Sequence, residues 1–119
     1  MKLLALDTSM AACSAAILDT DRDVILARRW VAMERGHAEA LAPMVAEVLQ
    51  EAELHPRDLS RIAVTAGPGT FTGVRIGLAM ARGLGLALGI PVAGLDSLTA
   101  IAANVPPGRP VLVAADARK

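Results

Sequence analysis

Apolar and polar positions along the chain follow two different periods. Residues 2–6 form a short apolar run ending at Asp7-Thr8-Ser9, and residues 13–18 form a second. The small residues between them read as a turn, and Asp19-Thr20-Asp21-Arg22-Asp23 reads as a polar turn. Residues 24–33 read as a third strand, with Ile25, Ala27, Val31 and Met33 on one face and Arg28 and Trp30 on the other. Three strands on short turns make an antiparallel meander. After Glu34-Arg35-Gly36 the spacing becomes helical: from about His37, Leu41, Met44, Val45, Val48, Leu49 and Ala52 recur at three and four, with Pro43 near the helix start. Pro56 is placed to open a single helical turn in the loop 54–60. Residues 61–66 predict a fourth strand, parallel to a neighbour because a helix precedes it. A second helix is expected over about 73–88, ended by Gly89-Ile90-Pro91. A fifth strand follows at 91–94, then a helix capped by Asp96 or Ser97 and running to about Asn104. Pro106-Pro107-Gly108 reads as a linker and residues 109–115 as a sixth strand.

A meander of three strands followed by alternating helices and strands is the order of a ribonuclease H-like lobe. It predicts an α/β fold of the actin, sugar-kinase and Hsp70 class, with parallel strands added to the meander and helices on both faces. Residues 1–108 are expected to form this lobe, and residues 109–119 the first strand of a second lobe absent from the chain.

Composition narrows the picture. The chain has 119 residues, one domain or one lobe, and is 54% apolar with one Trp, one Phe and no Tyr, so its core is aliphatic. Twelve basic residues balance twelve acidic ones without a block of like charge, which argues against an autonomous nucleic-acid or membrane surface. The lone Cys13 excludes an internal disulfide and fits a reducing compartment. Asp7 arrives too soon for a signal peptide, and Arg82, Pro91 and several glycines interrupt the most apolar stretch, so a cytoplasmic chain without a membrane span is expected.

Candidate chemistry gathers in two places. Asp7-Thr8-Ser9 sets a carboxylate beside two hydroxyls, a pattern that suits either a hydrated Mg²⁺ with phosphate or an ordinary Asx-turn. Ala66-Gly67-Pro68-Gly69-Thr70-Phe71-Thr72-Gly73 joins a strand to a helix through a glycine loop, so backbone N–H groups there can face an anion. Thr72 stands where the dinucleotide fingerprint needs its third glycine and no Walker lysine follows, so Gly67, Pro68 and Gly69 equally suit a structural turn. Beyond the loop, Gly73, Gly77, Ala81, Gly85 and Gly89 recur at every fourth position as a ridge of small residues. Gly77, Gly83 and Gly85 inside the helix together cost roughly 2–3 kcal/mol relative to alanine. Either this is the central core helix of a monomer, or the ridge admits a partner helix. On the second reading the interface comprises Gly73, Gly77, Met80, Ala81, Leu84 and Gly85, with His37, Leu41, Met44, Val45 and Val48 of the other helix. A bulky residue at Gly77 or Ala81 is then expected to abolish association while the lobe stays folded. No catalytic residue stands out: the serines have no visible base and Cys13 sits in an apolar strand. No metal site does either: His37 and His55 are the only histidines, Leu41 occupies the position where His37 would need a second ligand, and His37 reads as a cap or surface group.

Leu4-Ala5-Leu6-Asp7-Thr8-Ser9, Gly36-His37-Ala38-Glu39-Ala40-Leu41-Ala42-Pro43 and the stretch 66–77 together resemble the TsaB (YeaZ) family, and Pro91-Val92-Ala93-Gly94-Leu95-Asp96-Ser97-Leu98 and Asp116-Ala117-Arg118 extend the likeness. Family members carry a second lobe, so the resemblance implies an N-terminal lobe alone. It implies a non-catalytic scaffold or dimerisation subunit in the formation of threonylcarbamoyladenosine in tRNA. Its partners would be a TsaD-like catalytic subunit, a TsaE-like ATPase and, as an alternative, a second copy. The tRNA is contacted only indirectly and no membrane is involved. The metal-binding histidines of TsaD would fall near Ser97 and Ile101, neither a ligand that replaces imidazole. No cofactor is expected, with ATP or ADP at a shared interface as the alternative. Asp7, Thr8 and Ser9 would then be the remnant of a phosphate loop. Competing readings are an ATP-binding enzyme of the sugar-kinase class, using Asp7, Thr8 and the glycine loop, and a glycoprotease-like peptidase.

Overall fold

Leu4 and Leu6 alternate with less buried neighbours along the first strand, and that alternation is continued across the sheet. The computed structural model describes residues 1–95 apart from Met10, Pro68 and the side chain of Phe71. Strands β1 (Lys2–Asp7), β2 (Ala12–Asp19) and β3 (Val24–Ala32) form the antiparallel meander. Helix α1 (His37–Glu51), a 3-10 turn at Pro56–Asp58, β4 (Arg61–Thr65), α2 (Phe71–Leu88) and β5 (Val92–Leu95) follow. The sheet order is β3-β2-β1-β4-β5, with β4 parallel to β1 and β5 parallel to β4. This is the ribonuclease H-like arrangement that the element order predicts.

The pairing registers decide what each face carries. Leu4 stands opposite Ile17 and Ile62, and Leu6 opposite Ala15 and Val64. All six side chains are buried in one cluster with Leu41, Met44, Val45, Val48 and Leu49 of α1 and Ala81 of α2. Both described helices therefore cover the same face. The opposite face carries a row of alanines, Ala16, Ala5, Ala63 and Ala93, in register across β2, β1, β4 and β5. Helices on both faces were expected. The helix from Asp96 or Ser97, the linker, the sixth strand and the boundary at residue 108 all lie outside the described residues.

β3 departs from its expected alternation. Ile17 stands opposite Ala27 while the next pair is Leu18 with Ile25, so Leu26 is an extra residue in a bulge. The bulge puts Ile25 beside Leu18 on the alanine face, 53% exposed, rather than beside Ala27. Trp30, two residues before the strand end on the sheet's edge, is 67% exposed.

The helix ends follow local chemistry. Gly36 precedes α1 at φ 90°, in the left-handed region that glycine enters without strain. The helix runs through Pro43, which is exposed. α2 begins two residues before the expected start because Thr70 caps it, its side chain accepting from the Gly73 N–H at 3.1 Å. Gly89, at φ 66°, ends it. In the polar turn, the buried Asp19 carboxylate accepts from Lys2 Nζ and Arg22 Nε, both at 2.9 Å. These bonds, with the Asp21 and Arg22 N–H groups, hold its carboxyl well below the usual range.

Candidate functional site

Parallel pairing of β1 with β4 brings their carboxyl ends together, and the candidate residues meet there. Asp7 Oδ1 accepts from the Ser9 N–H at 2.9 Å, from Ser9 Oγ at 2.6 Å and from Thr65 Oγ1 at 2.7 Å. The bond from the Ser9 N–H is that of an Asx-turn. The Ser9 carbonyl accepts from the Thr70 N–H at 2.8 Å, and Thr8 Oγ1 donates to the Gly73 carbonyl at 2.6 Å. Thr8 and Ser9 are 1% and 0% exposed. The two candidate sites are thus brought together and bind each other. Gly69 lies so close to the Ser9 backbone that a Cβ there would overlap the Ser9 carbonyl oxygen.

The ridge of small residues faces inward, which corrects its reading as a surface open to a partner. A Cβ at Gly73 would overlap the Thr8 carbonyl oxygen. One at Gly77 would lie 2.8 Å from Thr8 Oγ1 and 3.2 Å from Val64 Cγ2, and one at Gly85 2.5 Å from Val92 Cγ2. Ala81 is fully buried. The glycines thin α2 so that it can lie close over its own β1–β2 turn and strands. The same correction applies to α1: His37, Leu41, Met44, Val45 and Val48 are buried, the last four in the core cluster. Met80 and Leu84 are half-buried against that core. A bulky residue at Gly77 or Ala81 therefore strikes the fold before it reaches any interface.

The exposed residues of both helices are different ones. On α2 they include Thr72, Arg75, Ala79, Arg82 and Gly83, and Leu86 is 87% exposed. On α1 they include Ala38, Ala42, Pro43 and Ala46. Helical spacing puts Thr72, Ala79, Gly83 and Leu86 on the side of α2 opposite Gly77, Ala81 and Gly85. The same period that marks the ridge marks this outer stripe, offset by about half a turn. A hollow of about 600 Å³ opens where α1 and α2 begin, lined by Arg35, His37, Glu39, Thr70, Thr72 and Ile76 among others. His37, expected as a cap or surface group, is 8% exposed and lines this hollow. Nothing in the sequence marked this hollow except the paired helix-start residues Gly36 and Thr70.

The remaining chemistry is sparse. Burial pushes the Cys13 thiol up from its ordinary value, and the nearby Asp7 charge adds to the shift. Among the described residues no three of His, Cys, Asp and Glu come together as a metal-ligand set. Among them, too, no helix is long and apolar enough to cross a membrane.

The family model described as TsaD: tRNA N6-adenosine threonylcarbamoyltransferase matches residues 31–119. The Bacillus subtilis tRNA threonylcarbamoyladenosine biosynthesis protein TsaB is 38% identical over 104 residues, covering 87% of this chain and 44% of that protein. The Escherichia coli protein of the same name is 35% identical over 102 residues, covering 86% and 43%. The solved structure of YeaZ from Pseudomonas aeruginosa superposes with a TM-score of 0.80 at 41% identity, covering 87% of this chain and 47% of that one. The chain spans less than half the length of these relatives.

Proposed function

Because the chain belongs to the TsaD family and is similar to the N-terminal region of TsaB proteins, we propose that it is a non-catalytic subunit in the formation of threonylcarbamoyladenosine in tRNA, one that docks and supports a TsaD-like catalytic subunit. The observation that carries this is the two-sidedness of α2. One side is taken up by Thr8, Val64 and Val92 of its own lobe, while the other presents Ala79, Gly83 and the 87% exposed Leu86. Small residues on the outer sides of both helices, Ala42 and Ala46 as well as Ala79 and Gly83, let a partner helix come close. Fully burying a leucine such as Leu86 contributes about 1.5–3 kcal/mol to docking. Arg75 and Arg82 lie along one edge of the stripe, where carboxylates at a partner's rim would steer the encounter. A TsaE-like ATPase would join through the catalytic subunit, and tRNA would be reached the same way. A second copy of the chain is the competing occupant.

Calorimetric titration with a purified TsaD-like subunit tests the proposal. The wild-type chain is expected to bind. Leu86→Asp, which places a charge in the stripe without touching the core, is expected to weaken binding by at least about tenfold, given the leucine's burial energy. Equal affinity for the two chains, or self-association as the only reaction, overturns it.

A further inference from the structure

We propose that the Asp7-Thr8-Ser9 turn is the positioning element of α2: the Thr8 hydroxyl, bound to the Gly73 carbonyl, fixes the rotation of the helix and with it the pose of the outer stripe. Its effect on a partner rests on the docking reading above, whereas its effect on α2 does not.

The argument starts from what a glycine surface lacks. Helices are usually fixed on a sheet by side chains that interlock with those beneath them. In its first turns α2 turns Gly73 and Gly77 toward Thr8 and Val64, so it comes close there with no side chain of its own to interlock, while Ile76 and Leu78 pack on the core to either side. A directional bond fixes the helix along this smooth strip. Thr8 Oγ1 lies 2.8 Å from where a Cβ of residue 77 would be and donates to the carbonyl of residue 73, at 2.6 Å and out of water. A carbonyl has two lone pairs, so Gly73 can accept this bond beside its helical one. The bond is therefore not needed to form the helix; it locates it.

Further bonds carry the position back to the sheet without interruption. Thr65 on β4 holds Asp7, Asp7 holds Ser9, and the Ser9 carbonyl holds the Thr70 N–H at the helix cap. Thr70 in turn accepts from Gly73. The carboxylate and hydroxyls that suit a phosphate loop are here engaged by the chain itself, so the pose of α2 does not wait on a ligand.

Two substitutions at one site test this. Thr8→Val keeps the shape and removes the donor; Thr8→Ser keeps the donor. For Thr8→Val, amide exchange in the first turns of α2 is expected to quicken by about fivefold, the size of one hydrogen bond, while α1 is unchanged. Affinity for the TsaD-like subunit is expected to fall by about fivefold, by the same reasoning. Thr8→Ser is expected to restore both. Wild-type exchange in Thr8→Val, or a failure of serine to restore it, overturns the proposal. If the wild-type chain binds no such subunit but exchange still responds, docking falls and positioning stands. Should Thr8→Val not fold, Thr65→Val releases Asp7 from β4 and carries the same comparison; unaltered exchange there overturns the proposal equally.

Discussion

Gly77→Ala and Gly83→Ala make the same chemical change in the same helix, and they are expected to move stability in opposite directions. Each gains about 1 kcal/mol of helix propensity. At Gly83 no described atom lies within 4 Å of the added Cβ, and the position is exposed, so most of the gain is kept. At Gly77 the Cβ arrives 2.8 Å from Thr8 Oγ1 and 3.2 Å from Val64 Cγ2, nearer than ordinary contact. The hydroxyl cannot swing away without giving up its bond to Gly73, a loss of about 1 kcal/mol. Overpacking of this kind costs roughly 1–3 kcal/mol. Against the propensity gain, the net loss is about 1–3 kcal/mol, or roughly 4 °C in melting temperature for each kcal/mol. Urea unfolding followed by circular dichroism, with equal m-values confirming two-state behaviour, gives both numbers. If Gly77→Ala is as stable as Gly83→Ala, the inward placement of the glycine stripe is wrong.

Other expectations concern charges and the thiol. Asp19 has a carboxyl depressed in the folded state, so its contribution is present above the ordinary value of 3.8 and is lost as pH falls below that value. Wild type should therefore lose stability more steeply than Asp19→Asn on acidification below about pH 4, and parallel curves would refute this. Cys13 is fully buried and its thiol is pushed up, so a disulfide reagent should react only as fast as the chain opens; immediate stoichiometric labelling of the folded protein would contradict that. Arg29 ties β3 to α1 through Glu47 at 3.6 Å and Glu51 at 2.9 Å, with all three side chains partly in water. Arg29→Ala should cost less than about 1 kcal/mol, and less still in high salt, as denaturation at two ionic strengths would show.

Much of the fold was legible because its signals are local. The spacing of Leu41, Met44, Val45, Val48 and Leu49 picked out the apolar side of α1, with Glu47, Gln50 and Glu51 marking the outside, but not whether its own sheet or a partner covers it. Helix α2 offers a weaker mark, Arg75 and Arg82 along one edge. Leu78, Leu84, Leu86 and Leu88 surround it, so the period shows which residues share a side but not which side is inward. The inward side is set by Thr8, Val64 and Val92, which lie on other segments. The bulge at Leu26 was equally silent, because no glycine or proline announces it, yet one extra residue sends Ile25 to the other face. Asp7 reads from sequence as either a phosphate-site carboxylate or a turn residue, and its bond to Thr65 depends on a parallel pairing that no local pattern contains.

That same distance along the chain bears on the order of folding. The Thr8–Gly73 bond closes a separation of 65 residues and the Thr65–Asp7 bond one of 58. The meander and α1 need only near neighbours and can assemble early, whereas these two bonds must wait until β4 has paired with β1 and α2 has arrived. Substitutions at Thr8, Thr65 or Gly73 should accordingly quicken unfolding and leave the folding rate nearly unchanged. The joint between turn and helix would then be a late closure that prolongs the lifetime of the folded lobe.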